Sequence, residues 1–264
     1  MKIRQGLRLY LSYISINIRS MMQYKASFFF ATMGQFLVSF GTFLGVYFMF
    51  QRFPQVKGFS YREIVFCFSM VLLEFSIAEM YARGFDSFSG MVRMGEFDRV
   101  LVRPRGEVLQ VLGSKFELTR IGRLLQAIVM FVYGINLGDV RWSPAKIATV
   151  IFMLIGGIAL FTGIFFIYAA LCFFTLEGLE IINVFTNGAV EYGRYPAIVY
   201  GKKMLLFTTF VVPYALVQYY PLLYVLDRTE NKAYIFLPLV AVLFLIPCYG
   251  LWRFGVRHYK SSGS

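Results

Sequence analysis

Apolar residues along this chain are gathered into long blocks separated by short polar stretches. A helix that crosses a bilayer needs roughly 20 mostly apolar residues. Six blocks reach that length: 26–50, 64–82, 119–138, 147–174, 204–226 and 234–254. They show no period-2 alternation, so helices remain as the spanning form that satisfies its own backbone. In the third block, Arg120 and Arg123 occupy the first turns and are expected to snorkel to the headgroups.

Residues 1–22 carry a different period. Ile3, Leu7, Tyr10, Leu11, Ile14 and Ile18 recur at i, i+3/i+4 spacing, while Gln5, Arg8, Ser12, Ser15 and Arg19 share another face. This predicts an amphipathic helix lying in the membrane surface, its basic stripe toward anionic headgroups. The uninterrupted apolar core and small-residue cleavage site of a signal peptide are missing. The predicted fold is an all-α integral membrane protein with one transmembrane domain over 1–264. It comprises the interfacial helix at 1–22, six spans within 26–254, and a polar loop at 83–118. At 36 residues that loop is shorter than the roughly 50 at which independent domains become usual.

Composition agrees with the blocks. Hydrophobic residues make up 58% of the chain and charged residues 15%, with a mean hydropathy of +0.65. A soluble domain has about 25% charged residues, so this chain could not cover a water-exposed surface, and it is too apolar for disorder. A net charge of +12 would suggest nucleic acid in a soluble protein. In a membrane protein the excess belongs in cytoplasmic loops, and no nucleic-acid partner is expected. With both termini inside, 19 of the 26 Lys and Arg fall on the inner side, which predicts an N-in, C-in topology. Cys67, Cys172 and Cys248 sit inside apolar blocks and are read as small hydrophobes.

The motifs of catalysis are missing. One histidine, His258, cannot supply a paired metal site, and no Gly-x-Ser-x-Gly elbow occurs. Gly201-Lys202-Lys203 has Pro196 where a phosphate loop needs its first glycine, and no Ser or Thr after the lysine. No cofactor or metal is expected, and ATP, if used, binds another chain.

Other residues stand out inside the blocks. Glu74 lies near the middle of the second, where a carboxylate is costly. It either faces a translocation pathway or is a buried, hydrogen-bonded group. Glu79 and Arg83 have the favourable order for a helical ion pair. Gly41 and Gly45 form a Gly-x-x-x-Gly step, suited to a subunit contact or to packing within the chain. Gly156, Gly157 and Gly163 pose the same choice, and Pro213 and Pro247 predict kinks.

Two polar segments are predicted on the cytoplasmic side. In the first, Phe85, Phe88, Met91 and Val92 have helical spacing, Gly95 would end that helix, and Pro104 bars helix from continuing across it. Phe97, flanked by Glu96, Asp98 and Arg99, is expected to enter a partner's pocket; the alternative is that it folds back on the membrane surface or on the ends of the second and third spans. Such burial is worth roughly 1.5–3 kcal/mol. The second segment, 177–200, contains Glu180, Asn183, Glu191 and Arg194. Both segments suit docking of a soluble protein; the alternative is that they lie solvated along the headgroups.

At these residues the chain resembles the transmembrane subunits of type-2 ABC exporters, in their bacterial branch. The pattern Gly-x-Phe-Asp-x-x-Leu-x-Arg-Pro is matched by Gly95, Phe97, Asp98, Leu101, Arg103 and Pro104. Asn183, Gly188-Ala189 and Arg194-Tyr195-Pro196 match the stretch before the fifth span, and Pro213 and Tyr220-Pro221 match within it. The resemblance implies a multi-pass permease of the bacterial cytoplasmic membrane, not itself an enzyme, that pairs with a second permease and with ABC ATP-binding subunits. It implies an ATP-driven exporter, for which the abundant Phe and Tyr suggest an amphipathic substrate: lipid-like, peptide or drug. Coupling to the ATPase would fall on Phe85, Phe88, Gly95, Glu96, Phe97, Asp98, Arg103 and Pro104, together with Glu180, Glu191 and Arg194. Relatives carry an outer re-entrant segment before the last span; here only 227–233 is free for it, unless 214–226 forms it. The rival class is a proton- or ion-coupled transporter using Glu74, which predicts more intramembrane charge and often an inverted repeat. The two halves show no such repeat.

Overall fold

The computed structural model describes residues 2–137, 140–175 and 180–260. Helix α1 (Lys2–Met22) turns sharply into α2 (Lys25–Arg52). A two-stranded hairpin, β1 (Gln55–Val56) and β2 (Phe59–Ser60), reverses the chain, with Lys57 and Gly58 both at positive φ as a tight hairpin turn requires. Glu63 then accepts the Ser60 backbone N–H at 2.7 Å and starts α3 (Tyr61–Asp86). This helix is apolar on every side and buried along nearly its whole length, which makes it the central post of the bundle.

At the end of the bundle that carries both termini, the chain folds into α4 (Phe88–Arg93), α5 (Glu96–Leu101) and α6 (Glu107–Ser114). Gly95 joins the first two at φ 66, a left-handed conformation that costs glycine little. Helices α7 (Ile121–Leu137) and α8 (Pro144–Leu171) then flank α3. Ser143 caps α8 through the Lys146 N–H, with Pro144 in the first turn. The α8 glycines pack inside the chain: a side chain at Gly156 would strike Pro238, one at Gly157 the Glu74 carboxylate, and one at Gly163 would press on Cys248 and Phe244. Among the described residues, none outside the helix's own neighbouring backbone comes within 4 Å of a Cβ built at Gly41 or Gly45.

The fifth predicted span is not a single helix. Helix α9 (Glu180–Gly193) falls in the segment expected to be cytoplasmic, yet it runs up the bundle beside α3. Gly193 abuts Val71, the Cys67 Sγ lies 3.5 Å from the Gly193 carbonyl, and the Tyr195 hydroxyl reaches Met49, near the hairpin end of α2. The chain then dips back. Helix α10 (Lys202–Phe210) returns Phe207 to Phe185, and a bend of 87° leads into α11 (Tyr214–Val217) and α12 (Tyr219–Val225). These climb again until Asp227 meets Lys146 and Arg228 meets Glu63, both at the hairpin end. Residues 180–200 thus run along α3, and 202–225, with Pro213 at the bend, form a bent helix pair of the kind found in a broken span or a re-entrant loop. Helices α13 (Leu237–Val242) and α14 (Leu245–His258) complete the last span, broken where Pro247 cannot donate to Leu243.

Three further expectations change. Arg120 and Arg123 do not snorkel but turn inward to the Glu79 carboxylate, at 2.9 and 3.1 Å. Helix α1 has a third face, on which Tyr13 fills the space over Gly113, Asn17 donates to the Gly113 carbonyl and Tyr10 donates to the Tyr81 carbonyl. Phe97 is not exposed at all: at 0% accessibility it sits among Phe88, Phe173, Trp252 and Tyr259, with edge-on ring contacts favoured by aromatic quadrupoles.

Candidate functional site

Helices α2, α3 and α9 converge on a cleft of about 270 Å³. Helix α2 contributes Gln35, Ser39 and Thr42, spaced so that a 3.6-residue period puts them on one side of an otherwise apolar helix. From α9 come Asn187 and Glu191, and Arg194 follows in the turn just past its end, about one helical turn on. The aromatic floor is Phe68 and Phe75 of α3. A guanidinium stands over each ring, Arg194 at 5.6 Å and Arg123 at 5.2 Å. Arg194 holds the Glu191 carboxylate and lies 3.4 Å from the Thr42 hydroxyl. Arg123 donates to Gln35 at 2.8 Å and is neutralised by Glu79. Ser39, 6% exposed, has a buried hydroxyl with no protein partner. Beside this polar strip, Gly34, Gly41 and Gly45 fall within about 40° of one another around α2, and none has a neighbour within 4 Å of its built Cβ.

Glu74 points the other way. At 1% accessibility it sits against Gly157 and accepts a hydrogen bond from Gln218 Nε2 at 2.8 Å. Gln218 belongs to the bent segment, and the Tyr214 hydroxyl ties the same segment to the Phe185 carbonyl. Glu74 therefore fastens the returning chain to α3 and does not line the cleft.

A third polar centre lies where the spans meet the terminal end. Glu79 takes Arg83 at 3.2 Å, four residues on as the sequence order suggested, together with Arg120 and Arg123. Arg83 also pairs with Asp86. One carboxylate on α3 thus joins α7 to the inner end of the post.

The predicted coupling residues divide. Phe85, Phe88 and Phe97 are interior, and Gly95 is the α4–α5 hinge. Asp98 is half-buried, while Glu96, Arg103 and Pro104 are exposed. Around them are Leu101, which belongs to the matched motif, and Val102, 82% accessible, which the sequence reading passed over. Glu191 and Arg194 lie on the cleft, away from this end, and the Glu180 side chain falls outside the described residues. Also missed were Gln35, Ser39, Thr42 and Gln218. Their signal was available as hydrogen-bonding side chains at helical spacing, or alone, inside apolar blocks. Among the described residues no three His, Cys, Asp or Glu converge as metal ligands.

A family model described as an ABC-2 family transporter protein matches residues 36–263. Comparison with curated proteins found no match, and neither did comparison with solved structures.

Proposed function

The chain belongs to the ABC-2 transporter family, and on that premise we propose that it exports an amphipathic molecule through a pathway shared with a second permease. As a member it is a multi-pass membrane transport subunit that works with ABC ATP-binding subunits, and ATP hydrolysis lies on those chains. The observation that carries the proposal is the polar cleft beside an unpacked glycine face. Polar side chains within spans are tolerated where they face a cavity or bundle interior, and close-approach glycines suit a helix–helix contact. A second permease seated on Gly41 and Gly45 would wall the open side of the cleft, so the route forms between the two subunits. The partner can be a copy or a homologue.

The terminal end is assigned to the cytoplasm. With the fifth crossing placed at 180–200, that end still holds 16 of the 26 Lys and Arg. The ATP-binding subunit docks on the exposed turn from Leu101 to Arg105. Its motion would reach the spans through Phe97 onto Trp252 of α14, and through α4 onto α3. Glu74 serves the pathway indirectly, by holding the re-entrant segment. Membrane lipids cover the exposed apolar side chains of α1, α2 and α10, such as Leu7, Phe30 and Leu206.

Single-cysteine labelling with a membrane-impermeant reagent tests this arrangement. Lys203→Cys should react from outside intact cells, and Arg103→Cys only after permeabilisation. Protection of Lys203→Cys from outside would return 204–226 to a simple fifth span.

A further inference from the structure

Resting on that permease reading, we propose that the cleft receives the anionic head of the transported molecule and that Arg194 selects for its charge. Two guanidiniums and one carboxylate line the cleft in a low-dielectric setting, and the Glu79 carboxylate that pairs with Arg123 lies outside its lining. Arg123 is already committed to Glu79 and Gln35. Arg194 is the available member. Its guanidinium carbon lies 5.6 Å from the centre of the Phe68 ring, and its Nε is buried with no partner among the described residues. The Ser39 hydroxyl, also buried and unpartnered, lines the same cleft. These are the donors that a carboxylate or phosphate uses, and a guanidinium matches such groups in a bidentate way.

Glu191 supplies the resting counter-charge. Its side chain is 57% exposed and belongs to the same helix, so an incoming anion can displace it without unpacking the bundle. A cation would instead have to take Glu191 from Arg194 while facing two guanidiniums. The cleft's volume suits a head group rather than a whole amphipath. A tail would leave past Val38, which lines the cleft and is exposed on α2.

The test uses the complex with its ATP-binding subunit in phosphatidylcholine nanodiscs, with empty nanodiscs as the background. Binding is measured for three radiolabelled probes of one chain length: dodecyl phosphate, dodecyltrimethylammonium and dodecyl maltoside. Dodecyl phosphate should bind at least about tenfold more tightly than the other two, the size of one charge-assisted pair. Arg194→Gln should abolish that preference, and Glu191→Gln should strengthen it by removing the internal competitor. If the Arg194–Glu191 pair were only structural, both variants would weaken binding alike. That result overturns the proposal, as does a preference for the cationic or neutral probe. Loss of the ATP-binding subunit from the complex would count against the permease reading instead, and the same titration on the chain alone would still decide the charge preference.

Discussion

Phe97→Ala is expected to cost the permease about 3–5 kcal/mol of its own stability, the usual price of emptying a filled aromatic site. The ring is fully buried and touches Phe88 of α4, Phe173 just past α8, Trp252 of α14 and Tyr259 just past it. Removing it leaves a cavity where three parts of the chain meet, and none can close it alone. Thermal unfolding of the purified subunit should show a lowered midpoint. Val102→Ala should leave that midpoint unchanged and weaken binding of the ATP-binding subunit, because the Val102 side chain is almost fully in solvent. A Phe97→Ala protein of normal stability with impaired coupling would contradict the burial and restore Phe97 as a docking anchor.

Glu79→Gln is expected to be comparably severe. The Glu79 side chain is 6% exposed, and three arginines converge on it: Arg83 of α3, Arg120 just before α7 and Arg123 of α7. Glutamine preserves the shape and removes the charge, so the arginines face one another inside the protein. Breaking a buried ion network from one side costs about 3–5 kcal/mol, since the remaining charge has lost its compensation. Proteolysis in the membrane fraction should show loosening around 115–123. Replacing Arg123 with Met in the same variant should recover part of the loss by removing one unpaired cation. Wild-type resistance in Glu79→Gln would mean that water, rather than Glu79, compensates these arginines.

The blocks at 26–50, 64–82, 147–174 and 234–254 correspond to helices because an apolar run of spanning length has few other solutions. The fifth predicted span was only partly legible: 202–225 is a helix pair bent by 87°, and 180–200, which carries Glu191 and Arg194 and resembles a solvated loop, packs along α3. Those polar groups are tolerated because they face the cleft and pair with each other, which only the three-dimensional neighbours reveal. Phe97 was misplaced for a related reason. Its sequence neighbours Glu96, Asp98 and Arg99 are polar, but α5 turns it toward Trp252, distant in sequence. The i, i+4 partnership of Glu79 and Arg83 was legible because both lie on one helix. Its extension to Arg120 and Arg123 depended on how α7 packs against α3.

The drive from the ATP-binding subunit is expected to enter this membrane subunit through the α5–α6 turn, on the side of both termini. Site-specific crosslinking tests it most directly. A photoreactive residue would be placed at Val102, at Lys203 or at Asn231 in the assembled, ATP-hydrolysing complex. The account predicts a crosslink to the ATP-binding subunit from Val102 and none from the other two. A crosslink from Lys203, with Val102 silent, would contradict both the orientation and the docking face.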